Sequence, residues 1–259
     1  MWRAMFEPFD LTDKVALVTG GNGGIGLGMA RGLAAAGASV AIWGRDVRKN
    51  ADAVDALRQY HTRIASFSCD VTDEEAVVDA FGATAERFGR IDSCFANAGT
   101  APARIPFHDA PLDEWRRIVD VNLFGTVHVL QETVRHLRAR DAAGSLVVTS
   151  SIVGLGGAAG WEHYAATKAA LLAVVRSLAV GYGRHGITVN AVLPGWVDTA
   201  LTSEAFASEE YTRRVLSRHP IRRWGRPDDL AGIAVYLASD ASAWHTGDAI
   251  VIDGGYTKF

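Results

Sequence analysis

Cysteine is scarce in this 259-residue chain, and its two cysteines form no recognisable motif. Cys69 and Cys94 lie near the ends of separate strand-like runs without metal-ligand spacing, so we expect two buried free thiols rather than a disulfide, as is usual in the cytosol. His108 and His245 also lack partners at metal-ligand spacings. The sequence therefore predicts neither a disulfide framework nor a metal site, and it favours a cytoplasmic location.

Long apolar runs and an excess of charge of one sign are absent as well. No uninterrupted run of about 18 apolar residues occurs, which argues against a membrane-spanning helix. Residues 1–10 include Glu7, Pro8 and Asp10 and do not resemble a signal peptide. The formal net charge of −3 provides no electrostatic surface for nucleic acid or anionic lipid. We expect a protein that binds neither nucleic acid nor membranes.

The chain does contain a regular alternation of strand-like runs and helical periodicity. Strands are predicted at Val15–Thr19, Ser39–Trp43, Arg63–Cys69, Ile91–Ala96, Ser145–Ser150, Thr188–Leu193 and Ala249–Ile252. Helices are predicted at Ile25–Ala36, Val47–Tyr60, Asp73–Phe88, Leu112–Arg140, His163–Tyr182 and Pro227–Leu237. This alternation predicts βαβ units with helices on both faces of a parallel sheet. The expected fold is α/β: a single Rossmann-type, doubly wound domain with a seven-stranded parallel sheet over residues 11–259, after an N-terminal arm of residues 1–10.

A glycine-rich loop from Thr19 to Gly26 joins the first predicted strand to the first predicted helix. Glycines permit a tight turn and let the backbone approach a pyrophosphate, which the N–H groups at the helix N-terminus then bind. Two registers fit, G-x-G-x-x-G from Gly21 and T-G-x-x-x-G-x-G from Thr19. The strand–turn–helix context predicts a dinucleotide site. Its candidate residues are Gly20, Asn22, Gly23, Gly24, Ile25 and Gly26.

Tyr164 and Lys168 are four residues apart in a predicted helix, so their side chains project from one face. A nearby cation lowers the pKa of a tyrosine from its usual value of about 10, which gives a group that exchanges protons near neutral pH. Ser151 lies thirteen positions before Tyr164, at the end of a strand-like run. By itself the pair also fits an ordinary alanine-rich helix, so its significance depends on the motifs upstream.

From Leu11 to Tyr256 the chain resembles the short-chain dehydrogenase/reductase family. The motifs follow in the order of that family: the glycine loop, Asp70-Val71, Asn97-Ala98-Gly99, Asn122, Ser151, Tyr164 with Lys168, Pro194-Gly195, and Val251-Ile252-Asp253-Gly254-Gly255. The resemblance implies an NAD(P)-dependent oxidoreductase that interconverts a secondary alcohol and a ketone by hydride transfer.

The resemblance also implies four catalytic positions. Tyr164 would exchange the proton, and Lys168 would lower the pKa of Tyr164 and hold the nicotinamide ribose. Ser151, which the spacing favours over Ser150, would orient the substrate oxygen. Asn122 would hold a water that links Lys168 to solvent, a polar role that fits an asparagine in the middle of a predicted helix.

Further positions are implied to contact the cofactor. Asp70 would bind the adenine amino group with Val71 beside the ring, and the asparagine motif near residue 97 would also brace the sheet. Val197 would contact the carboxamide, and Thr199 the carboxamide or pyrophosphate. The implied contacts beyond the glycine loop are Asp70, Val71, Asn97, Ala98, Gly99, Tyr164, Lys168, Pro194, Gly195, Val197 and Thr199.

The choice between NAD and NADP depends on the end of the second strand, where a carboxylate binds the ribose 2′-hydroxyl or an arginine binds the 2′-phosphate. Gly44 occupies the position at which NAD-preferring relatives usually carry an acid, and Arg45 follows it. Asp46 is the rival acceptor, but it directly precedes a predicted helix and fits its N-cap. We expect NADP(H) to be favoured, with NAD(H) possible.

The segment from about 199 to 223 varies with substrate in the family. Phe206, Tyr211 and Leu216 are predicted to form an apolar lid, whereas Trp196 fits either a wall of the reacting centre or a packing aromatic. His163 precedes the catalytic tyrosine and is a candidate for substrate contact, but a histidine in the first turn of a helix is more often exposed, and we expect exposure. Arginines in the segment would suit an anionic substrate, but such residues usually form solvated helix faces. They are Arg213, Arg214, Arg218, Arg222 and Arg223.

The natural substrate is not indicated by these motifs. A 3-oxoacyl-thioester reductase competes with a dehydrogenase of sugars, polyols or other small molecules. The former would need a basic docking patch, for which Arg135, Arg138, Arg140 and Arg184 are available. A catalytically silent dinucleotide-binding scaffold or sensor is an alternative of another class. It is disfavoured because all four catalytic positions carry the expected residue types.

The helix that carries Tyr164 predicts how the protein assembles. It is apolar almost all the way round, so the face that does not cover the sheet needs another buried surface. Together with the family resemblance, this pattern predicts a homotetramer.

Overall fold

Seven parallel strands form one sheet in the computed structural model, which describes residues 7–60, 62–101 and 103–258. The strands are β1 Val15–Thr19, β2 Ser39–Gly44, β3 Ile64–Ser68, β4 Ser93–Ala96, β5 Gly144–Thr149, β6 Ile187–Pro194 and β7 Ala249–Ile252. Their order across the sheet is β3-β2-β1-β4-β5-β6-β7. The order reverses between β1 and β4, where doubly wound sheets bind their ligands. The predicted α/β, Rossmann-type fold is therefore confirmed.

Helices cover both faces of the sheet. They are α1 Gly24–Ala35, α2 Val47–Leu57, α3 Glu74–Phe88, α4 Leu112–Val119, α5 Gly125–Ala139, α6 Val153–Gly156, α7 Glu162–Tyr182, α8 Ser203–Phe206, α9 Glu209–Leu216 and α10 Ala231–Ala238. Successive strand residues alternate between faces, so Val18 packs beneath α1, α2 and α10, whereas Leu17 packs toward α3 and α5. A further cluster joins α5 and α7 to β5 and β6. The carboxyl ends of the strands remain uncovered by these layers.

The predicted helix Leu112–Arg140 is in fact two helices joined by a π-turn, Asp120–Phe124. Asn122 lies in this turn and is fully buried. Single π-turns occur often at functional sites. The predicted helix Pro227–Leu237 also begins differently, with a 3-10 turn at Pro227–Leu230 before α10.

Helix α7 packs one face on the sheet and leaves the other uncovered. Leu171 and Val175 are buried, while Ala173 is exposed and Val180 is 88% exposed. Within the described ranges, Glu162–His185 is the one helical segment whose length and composition would suffice to cross a membrane, a test that core helices of soluble proteins also pass. The expected burial of this face against another copy of the chain stays a prediction.

Both cysteines are buried free thiols, as predicted. Burial raises the pKa of Cys69 and of Cys94 to about 12, so neither is a reactive thiolate at neutral pH. No group of three or more His, Cys, Asp or Glu side chains suited to a metal occurs among the described residues. Most of the predicted arm lies outside the described residues; its last part, Glu7–Phe9, forms a 3-10 turn.

Candidate active site

A cleft of about 350 Å³, the glycine-loop cleft, opens at the carboxyl ends of β1, β4, β5 and β6. Gly24 begins α1, and Gly23 at the N-cap supplies no side-chain hydrogen bond, so the first backbone N–H groups of the helix are available to an anion. A Cβ atom at Gly26 would collide with the carbonyl oxygen of Gly20, so only glycine fits beneath the loop. These features suit the close approach of a pyrophosphate.

Most of the predicted cofactor residues line this cleft. They are Gly20, Asn22, Gly23, Gly24, Ile25, Asn97, Ala98, Gly99, Tyr164, Lys168, Pro194, Gly195, Val197 and Thr199. Thr199 lies over the start of α1, since a Cβ atom at Gly24 would be 3.2 Å from its Cγ2 atom. The predicted catalytic residue Ser151 and its neighbour Ser150 also line the cleft. The structure adds lining residues that the motifs did not indicate, namely Lys49, Thr100, Thr149, Ala200, Leu201 and Thr202.

Asn97 braces the base of the cleft. Its Nδ2 atom donates to the Thr19 carbonyl oxygen at 3.1 Å, and its Oδ1 atom accepts from Thr149 Oγ1 at 3.1 Å. Thr19 Oγ1 in turn accepts from the backbone N–H groups of Asn97 and Ala98. These bonds hold the ends of β1, β4 and β5 together, which confirms the bracing role expected of the motif.

Asp46 is the N-cap of α2, as predicted. Its Oδ1 atom accepts from the backbone N–H groups of Arg48 and Lys49, both at 3.0 Å. The hydrogen bond from Lys49 is the main cause that lowers the pKa of Asp46. The carboxylate is therefore engaged by its own helix.

Arg45 and Asp70 lie beside each other beyond the lining of the cleft. Arg45 Nη1 is 3.5 Å from Asp70 Oδ2, and the Arg45 side chain is 74% exposed. Asp70 Oδ1 accepts from the backbone N–H and hydroxyl of Thr72. Burial acts to raise the pKa of Asp70, but the bonds from Thr72 and the charge of Arg45 outweigh it, and the pKa is lowered. Val71 is buried, with its carbonyl oxygen 3.0 Å from His128 Nδ1.

Two asparagines occupy the space beside Gly44. Asn22 Nδ2 donates to Asn50 Oδ1 at 2.7 Å, and Asn50 Nδ2 donates to the Gly44 carbonyl oxygen at 2.8 Å. A Cβ atom at Gly44 would collide with both amides. The acid that NAD-preferring relatives carry at this position would therefore have to displace the pair. One signal for this pair was available beforehand, the asparagine Asn50 within a predicted helix.

Tyr164 and Lys168 project from α7 into the cleft, with Lys168 Nζ 5.6 Å from the centre of the Tyr164 ring. Burial raises the pKa of Tyr164 to about 12, and interaction with the Ser151 side chain opposes the rise. Burial lowers the pKa of Lys168 to about 8. Desolvation of the phenol dominates in this structure, and the expected lowering of the Tyr164 pKa by Lys168 stays a prediction.

Ser150 and Ser151 have different partners. Ser150 Oγ donates to the Lys168 carbonyl oxygen at 2.8 Å, which fastens α7 to the end of β5. Ser151 Oγ accepts from the Val153 N–H at 3.2 Å and acts on the pKa of Tyr164. This geometry supports Ser151 as the residue that meets the substrate oxygen.

Both polar atoms of the Asn122 side chain form hydrogen bonds with the loop after β4. Asn122 Oδ1 accepts from the Thr100 N–H at 2.8 Å, and Nδ2 donates to the Thr100 carbonyl oxygen at 2.9 Å. Gly99, next in the loop, lies close to both Asn122 and Lys168. The amide thus positions the loop beside Lys168, and the water link expected from the family remains a prediction.

A second cavity of about 690 Å³, the side cavity, adjoins the cleft. Its volume is within the range typical of small-molecule sites. The residues that line both spaces are Ser151, Tyr164, Gly195, Leu201 and Thr202. Thr202 Oγ1 donates to the Val197 carbonyl oxygen at 2.7 Å. Ser151 and Tyr164 are therefore the hydroxyl groups best placed to act where the two spaces meet.

Comparison with known proteins agrees with this arrangement. A family model described as enoyl-(acyl carrier protein) reductase matches residues 20–257. The chain is 40% identical to the cis-4-hydroxycyclohexanecarboxylate dehydrogenase of Sinomonas cyclohexanicum, over 95% of this chain and 97% of that protein. It is 36% identical to a sorbose reductase of Schizosaccharomyces pombe, over 97% and 99% of the two chains. The chain belongs to the short-chain dehydrogenase/reductase family.

A solved structure of the family supports the same assignment. A presumed 2-deoxy-D-gluconate 3-dehydrogenase from Agrobacterium tumefaciens, with bound NADP, is similar at a TM-score of 0.90 and 31% identity, over 97% of this chain and 99% of that one. This short-chain dehydrogenase/reductase is an NAD(P)-dependent oxidoreductase that interconverts secondary alcohols and ketones by hydride transfer.

Trp161 and Trp196 line the side cavity in this dehydrogenase/reductase, and further aromatic side chains that do not line it pack against Trp196. Trp196 is at the centre, with its ring 5.7 Å from Tyr211 and 6.1 Å from Trp161. Phe206 stacks on Trp224 at 3.7 Å. Trp196 therefore combines the two roles considered for it, because it packs with the predicted lid residues and also lines the cavity.

The five arginines in the segment from about 199 to 223 have different surroundings. Arg223 forms two hydrogen bonds with Asp229, and Arg222 donates to backbone carbonyl oxygens. Arg214 lies over the Tyr211 ring, and Arg213 is exposed on α9. Arg218 alone of the five lines the side cavity.

Some features near the site were not foreseen. His163 is 1% exposed and packs on Trp115, so the expectation that it is exposed is wrong. The C-terminal turn Tyr256–Lys258 lines the side cavity, as does Trp161. No local motif marks such residues, because the fold brings distant parts of the chain together.

Proposed function

We propose that Tyr164 exchanges a proton with a secondary alcohol or ketone whose oxygen Ser151 orients, with NADP(H) as the favoured cofactor. The observation that carries the proposal is that both side chains line the glycine-loop cleft and the side cavity. A substrate in the side cavity can thus present its oxygen at the boundary with the cleft. A bound nicotinamide supplies or accepts the hydride.

The protonation state of the Tyr164 phenol determines whether it can donate or accept a proton. With its pKa raised to about 12 by burial, the phenol is protonated at neutral pH and can donate to a carbonyl oxygen during reduction. In oxidation the phenol must lose this proton before it can accept one from the alcohol. Alkaline conditions should therefore favour oxidation.

Lys168 and Asn122 are proposed to support this exchange. Lys168 Nζ donates to the Thr149 carbonyl oxygen at 2.8 Å, and Lys168 lines the glycine-loop cleft, which supports the expected role in holding the nicotinamide ribose. Asn122 supports the adjoining loop through Thr100. A water held near Asn122 would connect Lys168 with solvent.

The preference for NADP(H) is proposed from the charges and the space around the end of β2. Arg45 is a cation at the expected position, and Lys49 lines the cleft from the first turn of α2. The Asn22–Asn50 pair fills the space that an acid at position 44 would need, and Asp46 is engaged as the N-cap. A 2′-phosphate would therefore meet the positive charge of Arg45, which is 3.5 Å from Asp70, and no free carboxylate from position 44 or 46.

The thioester-reductase alternative receives less support. Arg135, Arg138 and Arg140 belong to the C-terminal end of α5, and Arg184 precedes β6, so all four lie toward the amino-terminal edge of the sheet. Arg135 pairs with Glu132, and Arg138 Nη1 is 2.7 Å from His185 Nδ1. These arginines do not form a docking patch at the mouth of the side cavity, and we favour a free small molecule as substrate.

The protein is further proposed to be a cytoplasmic homotetramer. Support comes from α7, whose outward face includes the exposed residues Ala169, Ala173 and Val180. A second copy of the chain would bury this apolar surface.

The activity can be tested by following cofactor absorbance with cyclic ketones, keto sugars and acyl thioesters, each with NADPH and with NADH. We expect turnover of a small ketone with NADPH, which Tyr164→Phe abolishes. Faster turnover of acyl thioesters would favour the alternative substrate class. Cofactor binding without turnover of any of these compounds would instead indicate a silent scaffold.

A further inference from the structure

We infer that the side cavity selects a secondary alcohol or ketone whose reacting carbon is flanked by hydrocarbon, such as an alicyclic one, and discriminates against sugars and other polyols. This inference rests on the proposed function and specifies the class of its substrate. Ser151 and Tyr164, at the boundary with the glycine-loop cleft, would hold the reacting oxygen. The rest of the substrate would then lie against the other walls of the side cavity, and the chemistry of those walls determines which substrate binds.

The walls of the side cavity consist mainly of hydrocarbon. Most of its described lining residues are glycines or carry apolar side chains. The apolar ones are Ala101, Ile152, Val153, Leu155, Ala158, Trp161, Trp196, Leu201 and Val251. Asparagine, glutamine, aspartate and glutamate, whose side chains can bond several hydroxyl groups at once, are absent from the described lining.

The polar side chains of the lining have other partners or face solvent. Thr202 Oγ1 donates to a backbone carbonyl oxygen at 2.7 Å, and the Tyr256 hydroxyl accepts a hydrogen bond from Arg218 Nη1 at 3.0 Å. Arg218 itself is exposed, as are Thr257 and Lys258. A substrate inside the cavity would therefore find few free hydrogen-bond partners beyond the two hydroxyl groups that hold the reacting oxygen.

Two tryptophans bring hydrocarbon surface close to the reacting centre. The ring of Trp161 is 6.0 Å from that of Tyr164 and 6.1 Å from that of Trp196. The indole nitrogens of both tryptophans are buried, so the rings present carbon atoms to the cavity. A hydrocarbon group beside the reacting carbon would leave water and gain contact with these rings.

The loss of hydration of each hydroxyl group would make the cavity selective. A hydroxyl that leaves water without a new hydrogen bond lowers affinity by about ten- to a hundredfold, whereas each buried methylene raises it about fourfold. The cavity of about 690 Å³ has room for a six-membered ring with or without hydroxyl groups, so polarity and not size would discriminate.

The test compares three alcohols with the same ring in oxidation with NADP⁺: cyclohexanol, cyclohexane-1,4-diol and myo-inositol, which carries a hydroxyl on every ring carbon. We expect kcat/KM of the wild type to fall in this order and to be about a hundredfold or more higher for cyclohexanol than for myo-inositol. The difference should lie mainly in KM, because the reacting group is the same. Thermal-shift titration of the NADP⁺-saturated protein with each alcohol measures binding without turnover and should give the same order.

Substitutions in the walls test the same inference. Leu155→Asn places an amide in the lining at a residue that is 55% exposed, and it should lower the preference for cyclohexanol over myo-inositol about tenfold. Trp161→Ala should do the same through loss of hydrocarbon contact, whereas Trp161→Phe, which keeps a ring and loses the N–H group, should stay close to the wild type. Trp244→Ala is the matched control and should leave all KM values unchanged, because Trp244 is fully exposed and lines neither cavity.

Equal or better use of myo-inositol by the wild type would overturn the inference while leaving the proposed function intact. Equal changes of kcat/KM for cyclohexanol and myo-inositol in both Leu155→Asn and Trp161→Ala would also overturn it, because the walls would then not select between the two alcohols. If Trp161→Ala does not fold, Leu155→Asn and the thermal-shift titration still decide the question. The absence of turnover with any of the three alcohols and with the ketones of the cofactor screen would instead count against the proposed function.

Discussion

At the scale of single residues, the site depends on two groups whose proton affinities burial shifts in opposite directions. The pKa of Tyr164 is raised to about 12 and that of Lys168 is lowered to about 8, so both shifts favour the uncharged form. The phenol is therefore prepared to act as an acid. Ser151 is the neighbour that opposes its rise in pKa.

Tyr164→Phe should abolish turnover and leave cofactor affinity nearly unchanged, because only the transferable proton is lost. Removal of a general acid–base group costs about 10²–10⁴-fold in rate. Steady-state kinetics, together with titration of the cofactor by fluorescence, would measure both properties. A variant that kept a tenth of wild-type activity would disprove the assignment.

Ser151→Ala should reduce kcat strongly, whereas Ser150→Ala should be much milder. Ser151 borders both cavities, while the Ser150 hydroxyl donates to the backbone of Lys168. Ser150→Ala is thus the natural control. We expect it to lower the unfolding temperature and to leave kcat close to the wild-type value. The opposite order of kcat values would show that Ser150, and not Ser151, orients the substrate oxygen.

Arg45→Ala and Lys49→Ala should each weaken NADPH binding about ten- to a hundredfold and affect NADH little, since each removes a charge-assisted contact to the 2′-phosphate. Arg48→Ala is the control for Lys49→Ala, because Arg48 is exposed on the same turn and, unlike Lys49, does not line the cleft. Dissociation constants from equilibrium titration decide the matter. Tighter binding of NADH than NADPH by the wild type, lost in Asp46→Ala, would refute this interpretation.

At the scale of secondary-structure elements, the sequence located the strands and most helices but missed the π-turn. A π-turn adds one residue to a helix, and the apolar pattern from 112 to 140 continues through it with little change. Asn122 was noticed as a poor helix former, but its partner, the backbone of Thr100, comes from another part of the chain. Periodicity within one segment cannot indicate such a contact.

The hydrogen bonds between α7 and the end of β5 involve a catalytic residue, so they bear on both the reaction and the stability of the fold. Lys168 Nζ donates to the Thr149 carbonyl oxygen, and Ser150 Oγ donates to the Lys168 carbonyl oxygen. The same residues therefore hold the catalytic helix and form the base of the site. Protonation of Lys168 should therefore change the free energy of unfolding as well as the reaction rate.

Stability should rise with pH between about 8 and 10.5 through Lys168. Burial lowers its pKa from 10.5 to about 8, so in this window the unfolded chain binds more protons than the native state. Deprotonation of Lys168 above this window removes the cost of burying its charge. That gain in stability is lost as the pH falls through about 8. Relative to Lys168→Met, the wild type should gain up to about 1.4 kcal/mol per pH unit inside the window.

Urea unfolding of the two proteins at about pH 7.5 and about pH 9.5 measures this difference. The comparison cancels other titrating groups, and Tyr164 with its raised pKa acts in the opposite direction only above about pH 10. Parallel changes of the unfolding free energy in both proteins would show that Lys168 titrates normally.

At the scale of the whole molecule, the sequence indicated the reaction better than the substrate. The catalytic and dinucleotide residues lie in short motifs at strand ends, and a parallel sheet brings those ends together. The side cavity is assembled instead from Trp161, the segment around Arg218 and the C-terminal turn at Tyr256. Only tertiary structure shows that these parts meet, which is why one arginine could not be selected from five beforehand.

The outward face of α7 leads to the last prediction, which concerns assembly. Light scattering at micromolar concentration should give a mass near four times the 27.7 kDa of the chain. Ala173→Arg places a charge on the exposed apolar face of α7 and should dissociate the tetramer. Ala83→Arg, on the exposed face of α3, is the control and should not change the mass. A monomeric wild type, or equal masses for all three proteins, would mean that this face of α7 is not an interface between copies.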